Sequence, residues 1–474
     1  MNTTATLPDH PQGRANLRVI LIAAAAALGG FLFGFDTAVI NGAVDSMRQT
    51  FGLSAGLTGF AVSIALLGSA LGAWYAGRLA DRYGRVRTMQ VAAVLLAVGA
   101  IGAGLAGSVA WLMVWRVVAG IGVGVASVVA PAYIAEVSPA SIRGRLGSMQ
   151  QLAIVLGIFV ALLSDAALAH VAGGASETLW FGLGAWRWMF IVGVIPALIY
   201  GVLALSVPES PRHLVARGRN QDALGVLRRV LGLGSEAALR KKLGDIELSL
   251  KSEHKPRWRD LVGGRAGLLP IVWIGIVLSV FQQFVGINVI FYYSTTLWHS
   301  VGFSEADSFM LTVVTSIVNV LVTLVAIALI DKVGRKPLLL LGSAGMAVTL
   351  ALMALCFAQA TGSGADINLP APWGPVALVA ANLYVIFFGV SWGPVVWVLL
   401  GEMFPNRIRA MALAVAAAAQ WLANFAITSS FPPMAQFSLP FSYAVYAAFA
   451  ALSFVFVWRL VRETRGVELE DMPG

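Results

Sequence analysis

Twelve apolar stretches, each about 20 residues or longer, constrain this chain more than anything else in it. They run near 19–44, 56–77, 88–109, 111–135, 147–169, 186–207, 267–297, 308–330, 337–359, 374–403, 410–433 and 440–460. In a bilayer, a segment of this kind can satisfy its own backbone amides only as a helix. The expected fold class is therefore an all-α membrane protein with twelve transmembrane helices. Charge supports this, because only 12% of the 474 residues are Asp, Glu, Lys or Arg, against about 25% in ordinary soluble domains. Residues 1–16 are polar, and the first apolar run continues too long for a cleaved signal peptide.

The net charge of +9 does not point to nucleic acid, because the cations sit in a few short loops. The one sizeable polar segment, 208–265, holds thirteen Lys/Arg and seven Asp/Glu. Loops 78–87 and 138–145 are also basic, and Arg14 and Arg18 precede the first run. The alternate loops hold Arg48 as their one clear cation. This bias places the N-terminus (1–18), segment 208–265 and the C-terminus (462–474) in the cytoplasm. Within 208–265, Leu224, Leu227 and Val230, then Leu243, Ile246 and Leu250, recur at helical spacing. The expectation is a helical linker covering the cytoplasmic mouth.

The chain repeats itself. Asp81-Arg82-Tyr83-Gly84-Arg85 returns as Asp331-Lys332-Val333-Gly334-Arg335, and Glu136-Val137-Ser138-Pro139 as Glu402-Met403-Phe404-Pro405. Two pseudo-symmetric six-helix bundles, 19–207 and 266–461, with a site between them are the architecture of a rocking secondary transporter.

Amides concentrate in Gln282-Gln283-Phe284-Val285-Gly286-Ile287-Asn288, followed by Tyr292 and Tyr293. Unpaired amides are costly inside an apolar run, so this cluster needs partners. Carboxamides offer both donors and an acceptor, which suits a hydroxyl-rich ligand. Gly286 is the expected bend, and Trp392-Gly393-Pro394 is a second expected break. No acid or base stands among these amides, which disfavours a permanently charged substrate. The chain has no Gly-x-x-x-x-Gly-Lys phosphate loop, and its five histidines lie at no metal-binding spacing. No cofactor, metal or enzymatic chemistry is expected.

Two ionisable residues stand out within spans, Asp36 in the first and Arg116 in the fourth. Counting about 1.5 Å per residue from the span ends puts them at matching depth, so they can pair. Beside Arg116 the acid keeps its charge, and once parted from it the acid can take a proton. Asp36 and Arg116 are thus the proton-coupling candidates.

The chain resembles the sugar porter family of the major facilitator superfamily over nearly its full length. The resemblance is carried by GGFLFGFDTAVINGA (29–43), RLADRYGR (78–85), PAYIAEVSPASIRGR (131–145), VPESPRHLVARGR (207–219), QQFVGIN (282–288), DKVGRKP (331–337) and GPVVWVLLGEMFP (393–405). It is similar above all to bacterial proton-coupled hexose transporters. The resemblance implies a sugar site of Gln151, Gln282, Gln283, Asn288, Tyr292, Asn319 and Gln420, walled by Trp397 and Trp421, with Gln150 an alternative to Gln151. Asn319 and Gln420 fall about 16 and about 14 Å into their spans, near the midplane. The resemblance also implies that Asp81, Arg82, Arg85, Glu136, Arg143, Asp331, Arg335, Glu402 and Arg409 gate the inner mouth. Val461-Arg462-Glu463-Thr464-Arg465-Gly466 lacks the proline usual in the family, which bears on where the last helix ends.

The function this implies is import of a neutral monosaccharide, a hexose such as glucose, by proton symport in a bacterial cytoplasmic membrane. Sugar, proton and lipid are the expected partners, with no nucleic acid, and the carrier is expected to act as a monomer. A proton-independent facilitator of the same fold is the alternative. A transporter-like sugar sensor is the second; it would want a long cytoplasmic tail, and the chain ends about a dozen residues past its last span.

Overall fold

A computed structural model describes residues 11–138, 143–231, 235–252, 258–263, 267–361, 368–405 and 408–464. Twelve of its helical segments are long and apolar enough to cross a membrane, and the chain is a multi-pass membrane protein.

The first span is α1 (Pro11–Ala38), a 3-10 turn (Asn41–Ala43) and α2 (Val44–Phe51). Spans two to five are α3 (Ala55–Tyr83), α4 (Arg85–Gly104), α5 (Val109–Val137) and α6 (Arg143–Ala172). The sixth is α7 (Ala185–Val192) and α8 (Val194–Ser206), divided at Gly193. Four short helices follow: α9 (Pro211–Ala216), α10 (Asn220–Leu231), α11 (Glu236–Ser252) and α12 (Trp258–Leu261). The seventh span is α13 (Pro270–Phe284) and α14 (Ile287–Ser300), and the eighth and ninth are α15 (Glu305–Val333) and α16 (Arg335–Phe357). The tenth is α17 (Trp373–Val390) and α18 (Trp392–Met403), followed by α19 (Arg409–Phe437) and α20 (Leu439–Leu460).

Residues 45–51, expected as loop, instead form the amphipathic α2. Met47 is buried, Arg48 is exposed, and the helix ends on Gly52 at φ 62°. Between the halves, α10 buries Ala223, Leu227 and Val230, while Leu243, Ile246 and Leu250 of α11 pack against Leu214, Val215 and Ala223.

The helix ends explain the spans. Ser54, Ser108, Ser304 and Ser438 each accept from the backbone N–H three residues on, capping α3, α5, α15 and α20 at one end of the bundle. At the other, basic end, α3 and α15 stop at Gly84 (φ 95°) and Gly334 (φ 104°). A side chain there would be strained, and its Cβ would lie 2.2 Å from Glu209 Oε2 in one case and 2.8 Å from Glu463 Oε2 in the other. Small residues then set how closely helices approach. A Cβ on Gly120 would meet the Ala65 carbonyl at 2.1 Å, and one on Gly124 the Ser69 carbonyl at 2.0 Å, so α3 and α5 pack backbone to backbone.

The halves meet along α3 with α19 and along α6 with α15. Their polar cross-ties sit at the end away from the basic loops. Asn41 Nδ2 donates to the Phe291 carbonyl (2.8 Å), the Thr295 hydroxyl donates to Asn41 Oδ1 (2.5 Å), and the Thr296 hydroxyl donates to Asp45 (3.1 Å). The Ala175 N–H also donates to Glu305 across the seam (2.9 Å).

Candidate functional site

The amide cluster lies where two spans break together. α13 gives way to α14 at Gly286 (φ 86°), where a Cβ would press on the Tyr446 ring at 2.8 Å. α17 gives way to α18 at Ser391 (φ −129°, ψ −90°). The Tyr384 hydroxyl donates to the Val285 carbonyl (2.8 Å) and so braces the first break from α17. The second break is held by Trp392, wholly buried, whose Nε1 donates to Ser343 Oγ (2.9 Å) and the Leu339 carbonyl (3.1 Å).

Broken helices free backbone carbonyls, and Gln282 takes them up. Its Nε2 donates to the carbonyls of Trp392 (2.8 Å) and Gly393 (3.3 Å). Its Oε1 accepts from Gln283 Nε2 (3.4 Å) and from Gln420 Nε2. Asn288 Nδ2 donates in turn to Gln283 Oε1 (2.6 Å). Four of the expected residues thus form one chain of hydrogen bonds drawn from α13, α14 and α19. One atom is left over: Gln420 Oε1 is buried and accepts no hydrogen bond. An unsatisfied buried acceptor is costly, and a ligand hydroxyl would satisfy it.

The remaining candidates surround this chain without joining it. Tyr292 is buried on α14, near the side chains of Asn424 and of Thr37, the latter from the first half. Trp421 follows Gln420, and its ring lies 5.5 Å from that of Phe33 of α1, tilted at 54°. Asn319 is buried on α15 beside Gly389 of α17. Trp397 stays 44% exposed on α18. Gln150 and Gln151 point different ways, being neighbours about 100° apart on α6. Gln150 is pressed against Gly30 of α1, where a Cβ would lie 2.7 Å from its Nε2. Gln151 is half-buried.

Asp36 and Arg116 meet as the depth count predicts. Arg116 Nη1 contacts Asp36 Oδ2 (3.3 Å), Oδ1 (3.4 Å) and the Asp36 carbonyl (3.2 Å). The guanidinium lies 5.7 Å over Phe190, and its Nε has no partner. One nitrogen therefore carries the whole contact. Beside the pair is a cavity of about 10 Å³, close to the smallest that holds one water. Thr37, the next residue, lies close to Tyr292, which stands between the ion pair and the amide chain without bonding to either.

Asp36 and Arg116 are not the only ionisable groups at this depth. Asp165 of α6 is wholly buried within the run read as 147–169, and that reading passed over it.

At the basic end, the gating candidates form two matched clasps. Arg85 grips Glu136 with two nitrogens (Nε to Oε2 3.0 Å, Nη2 to Oε1 2.8 Å) and also reaches Asp81 (3.3 Å) and the Ala80 carbonyl (3.1 Å). Arg335 grips Glu402 likewise (3.1 and 2.7 Å) and reaches the Ile330 carbonyl (3.2 Å). Both ion pairs stay within one half. Arg82 accepts from Arg217 through its carbonyl and lays its guanidinium 5.3 Å over Tyr83. Arg409 Nε donates to the Phe404 carbonyl (3.1 Å). The side chains of Arg143 and Asp331 lie outside the described residues.

Each clasp has a third member that the repeat search missed. Glu209 accepts from the amides of Arg85 (2.9 Å) and Val86 (3.3 Å), and the Ser210 hydroxyl donates to Glu136. In the second half Glu463 accepts from Arg335 (3.0 Å) and Lys336 (2.9 Å), and the Thr464 hydroxyl donates to Glu402 (2.6 Å). The signal was present: Glu-Ser and Glu-Thr each follow the last span of a half. Without its proline, α20 still ends at Leu460, and Val461 is extended (φ −84°, ψ 127°). Outside the spans, His213 is buried behind Gly84, and burial pushes its imidazole below the usual histidine range, with Glu209 pulling the other way.

Comparison with known proteins identifies the family. Residues 22–474 match the family described as "Sugar (and other) transporter". The chain is 56% identical over 464 residues to the glucose transport protein of Synechocystis sp., covering 97% of this chain and 98% of that one. It is 38% identical to the D-xylose-proton symporter of Escherichia coli, covering 96% and 95%. Among solved structures it matches the inward-open conformation of the xylose transporter XylE from E. coli with a TM-score of 0.82, at 37% identity and with 96% and 99% covered. The form of that symporter bound to 6-bromo-6-deoxy-D-glucose matches with a TM-score of 0.78, at 38% identity and with 96% and 98% covered. A family match over almost all of the chain, with relatives this similar end to end, makes the chain a member of the sugar transporter family, a carrier rather than an enzyme.

Proposed function

We propose that this protein imports a neutral monosaccharide together with a proton, as a monomer in a bacterial cytoplasmic membrane with both termini inside. The two bundles, 19–207 and 266–461, rock about a site between them, and 208–265 lies on the cytoplasmic face. Glucose is the favoured substrate, because the 56% identical relative is named a glucose transport protein. The observation that carries the reading is the adjacency of two unlike sites. An open acceptor at Gln420 stands on one side and Asp36–Arg116 on the other, and Tyr292 lies between them, near Asn424, one helical turn beyond Gln420, and near Thr37, beside Asp36.

In this reading Gln151, Gln282, Gln283, Asn288, Tyr292, Asn319 and Gln420 take sugar hydroxyls, and Trp397 and Trp421 face the ring. Sugar draws Tyr292 inward, the shift reaches Thr37, and Asp36 parts from Arg116 to exchange its proton. The clasps of Arg85–Glu136 and Arg335–Glu402, with Asp81, Arg82, Arg143, Asp331 and Arg409, set the balance between inward- and outward-open forms. The cross-ties on the outer seam and the likeness to an inward-open relative favour a form closed to the outside.

The test is a panel of labelled sugars in proteoliposomes, measured by counterflow and by uptake under an imposed pH step. Accumulation of glucose driven by inside-alkaline pH is expected. Counterflow with no response to the pH step would make the protein a facilitator and end the symport reading.

A further inference from the structure

Asp165 has no part in the reading above. It lies on α6 about 10 Å short of the outer end, and it is wholly buried. Its Oδ2 accepts the Gly42 N–H at 3.3 Å, and its Oδ1 accepts nothing. An ionised carboxylate has about four acceptor sites to fill, and one long amide bond leaves that charge nearly bare.

Among the described residues no cation pairs with it. Asp36 of α1 is taken by Arg116 of α5. On α2, Asp45 faces Thr296 and His299, and Arg48 is exposed. Arg187 of α7 donates to the carbonyls of Gly104 and Ala106. Glu305 of α15 accepts from Ala175, and His170 of α6 is exposed. Among the described residues none of these pairs with Asp165. Burying a bare charge is far costlier than burying a neutral acid with one unsatisfied hydroxyl.

The one group that Asp165 does hold is mechanically placed. Gly42 belongs to the 3-10 turn between α1 and α2, and its neighbour Asn41 ties that turn to Phe291 and Thr295 of the other half. The turn is packed tight on this side, since a Cβ on Gly42 would lie 2.7 Å from Met189 Sδ and 2.8 Å from Asp165 Cβ. Release of Asn41 from α14 therefore frees the turn whose Gly42 amide Asp165 holds.

We propose that Asp165 is a second proton-binding site, distinct from Asp36, that is loaded while the outer seam is closed and exchanges its proton with the outer medium when the 41–43 turn swings away. The timing of exchange rests on the alternating-access reading, whereas the existence of the site does not.

Two measurements test it. In purified full-length protein without sugar at neutral pH, the infrared spectrum of wild type minus Asp165→Asn should contain the C=O stretch of a protonated carboxyl. Carboxylate bands in its place would overturn the proposal, whether or not the protein carries sugar. In Asp36→Asn proteoliposomes, sugar counterflow should slow several-fold as the outer pH is raised, because reclosing requires Asp165 to be reloaded. The Asp36→Asn/Asp165→Asn double variant should lose that response. A flat profile in Asp36→Asn, which needs no change at Asp165, or an undiminished response in the double variant, would sink the exchange step. Absence of counterflow in wild type would instead count against the sugar-carrier reading and leave the infrared result standing.

Discussion

The two halves share a frame and differ in what they hold. At the basic end they are near copies: Arg85–Glu136 with Glu209 and Ser210 on one side, Arg335–Glu402 with Glu463 and Thr464 on the other. In mid-span they diverge. The first half carries Asp36 and Arg116 in contact through one nitrogen, whereas the second carries uncharged amides joined end to end. The clasps use both oxygens of the acid and two nitrogens of the arginine, the geometry of a firm pair. The Asp36–Arg116 contact is longer and leaves Arg116 Nε unpaired. A carrier needs firm charges where it must hold a conformation, and a loose one where a proton must come and go.

If the first half owns coupling and the second owns recognition, damage to each should look different. The largest expected effect is at Asp36. Asp36→Asn should abolish uphill accumulation, bringing the inside-to-outside sugar ratio to unity, while counterflow survives. Uptake under an imposed pH step beside counterflow reads this directly. Equal accumulation by the variant and wild type would break the division of labour. Next comes Gln282→Ala, which removes the hub on which Gln283 and Gln420 converge and strands the carbonyls of Trp392 and Gly393. Losing a hydrogen-bonded polar group of this kind costs about 1–3 kcal/mol, or about 5- to 150-fold in affinity. The half-saturating sugar concentration in counterflow should rise by that much, with accumulation at saturating sugar little changed.

Much of this could be read from the letters because it follows from length and depth. Apolar runs gave the spans, Gly286 and Trp392-Gly393-Pro394 gave the breaks, and counting residues put Asp36 beside Arg116. Features that depend on rotation about a helix axis were not available. Gln150 and Gln151 are equivalent as letters, and only the packing of Gln150 on Gly30 separates them. Asp165 lies inside the run read as 147–169, where a single acid among apolar letters shows neither its facing nor its burial, and it is in the fold that Gly42 of the 41–43 turn and Met189 of α7 gather at it. Glu209 and Glu463 follow unlike residues, Pro208 and Arg462, so the matching Glu-Ser and Glu-Thr pairs are easily overlooked in the letters, and what they bind, Arg85 and Arg335, comes from the fold.

The clasps give a symmetry test with a smaller effect. Glu136→Gln and Glu402→Gln each leave an arginine short of its counter-charge, and equivalent clasps should be equally hurt. Both variants should slow net uptake about tenfold, the kinetic equivalent of about 1.4 kcal/mol, with the half-saturating sugar concentration nearly unchanged. A loss confined to one variant would show that the two clasps are alike in shape and unlike in use.

The smallest effect expected concerns a histidine that one clasp has and the other lacks. His213 is buried behind Gly84 and held below the usual histidine range by burial, whereas the position as far beyond Glu463 is Val467. A docked imidazole with a lowered pKa resists protonation, and the undocked segment does not, having an ordinary value of about 6.5. As pH falls through that value toward the docked one, the undocked form gains protons first, so docking of α9 weakens on the acid side and is at full strength above it. Hydrogen exchange, corrected for its intrinsic pH dependence, should therefore quicken at residues 213–217 on acidification while the amides of Arg335 and Lys336 stay unchanged. The shift should be smaller than the tenfold of the clasp variants, because Glu209 beside His213 partly offsets the burial. His213→Gln should erase it. A matching acid response at Arg335 and Lys336, where no histidine stands, would mean that both clasps loosen through their carboxylates and that His213 does not set them apart.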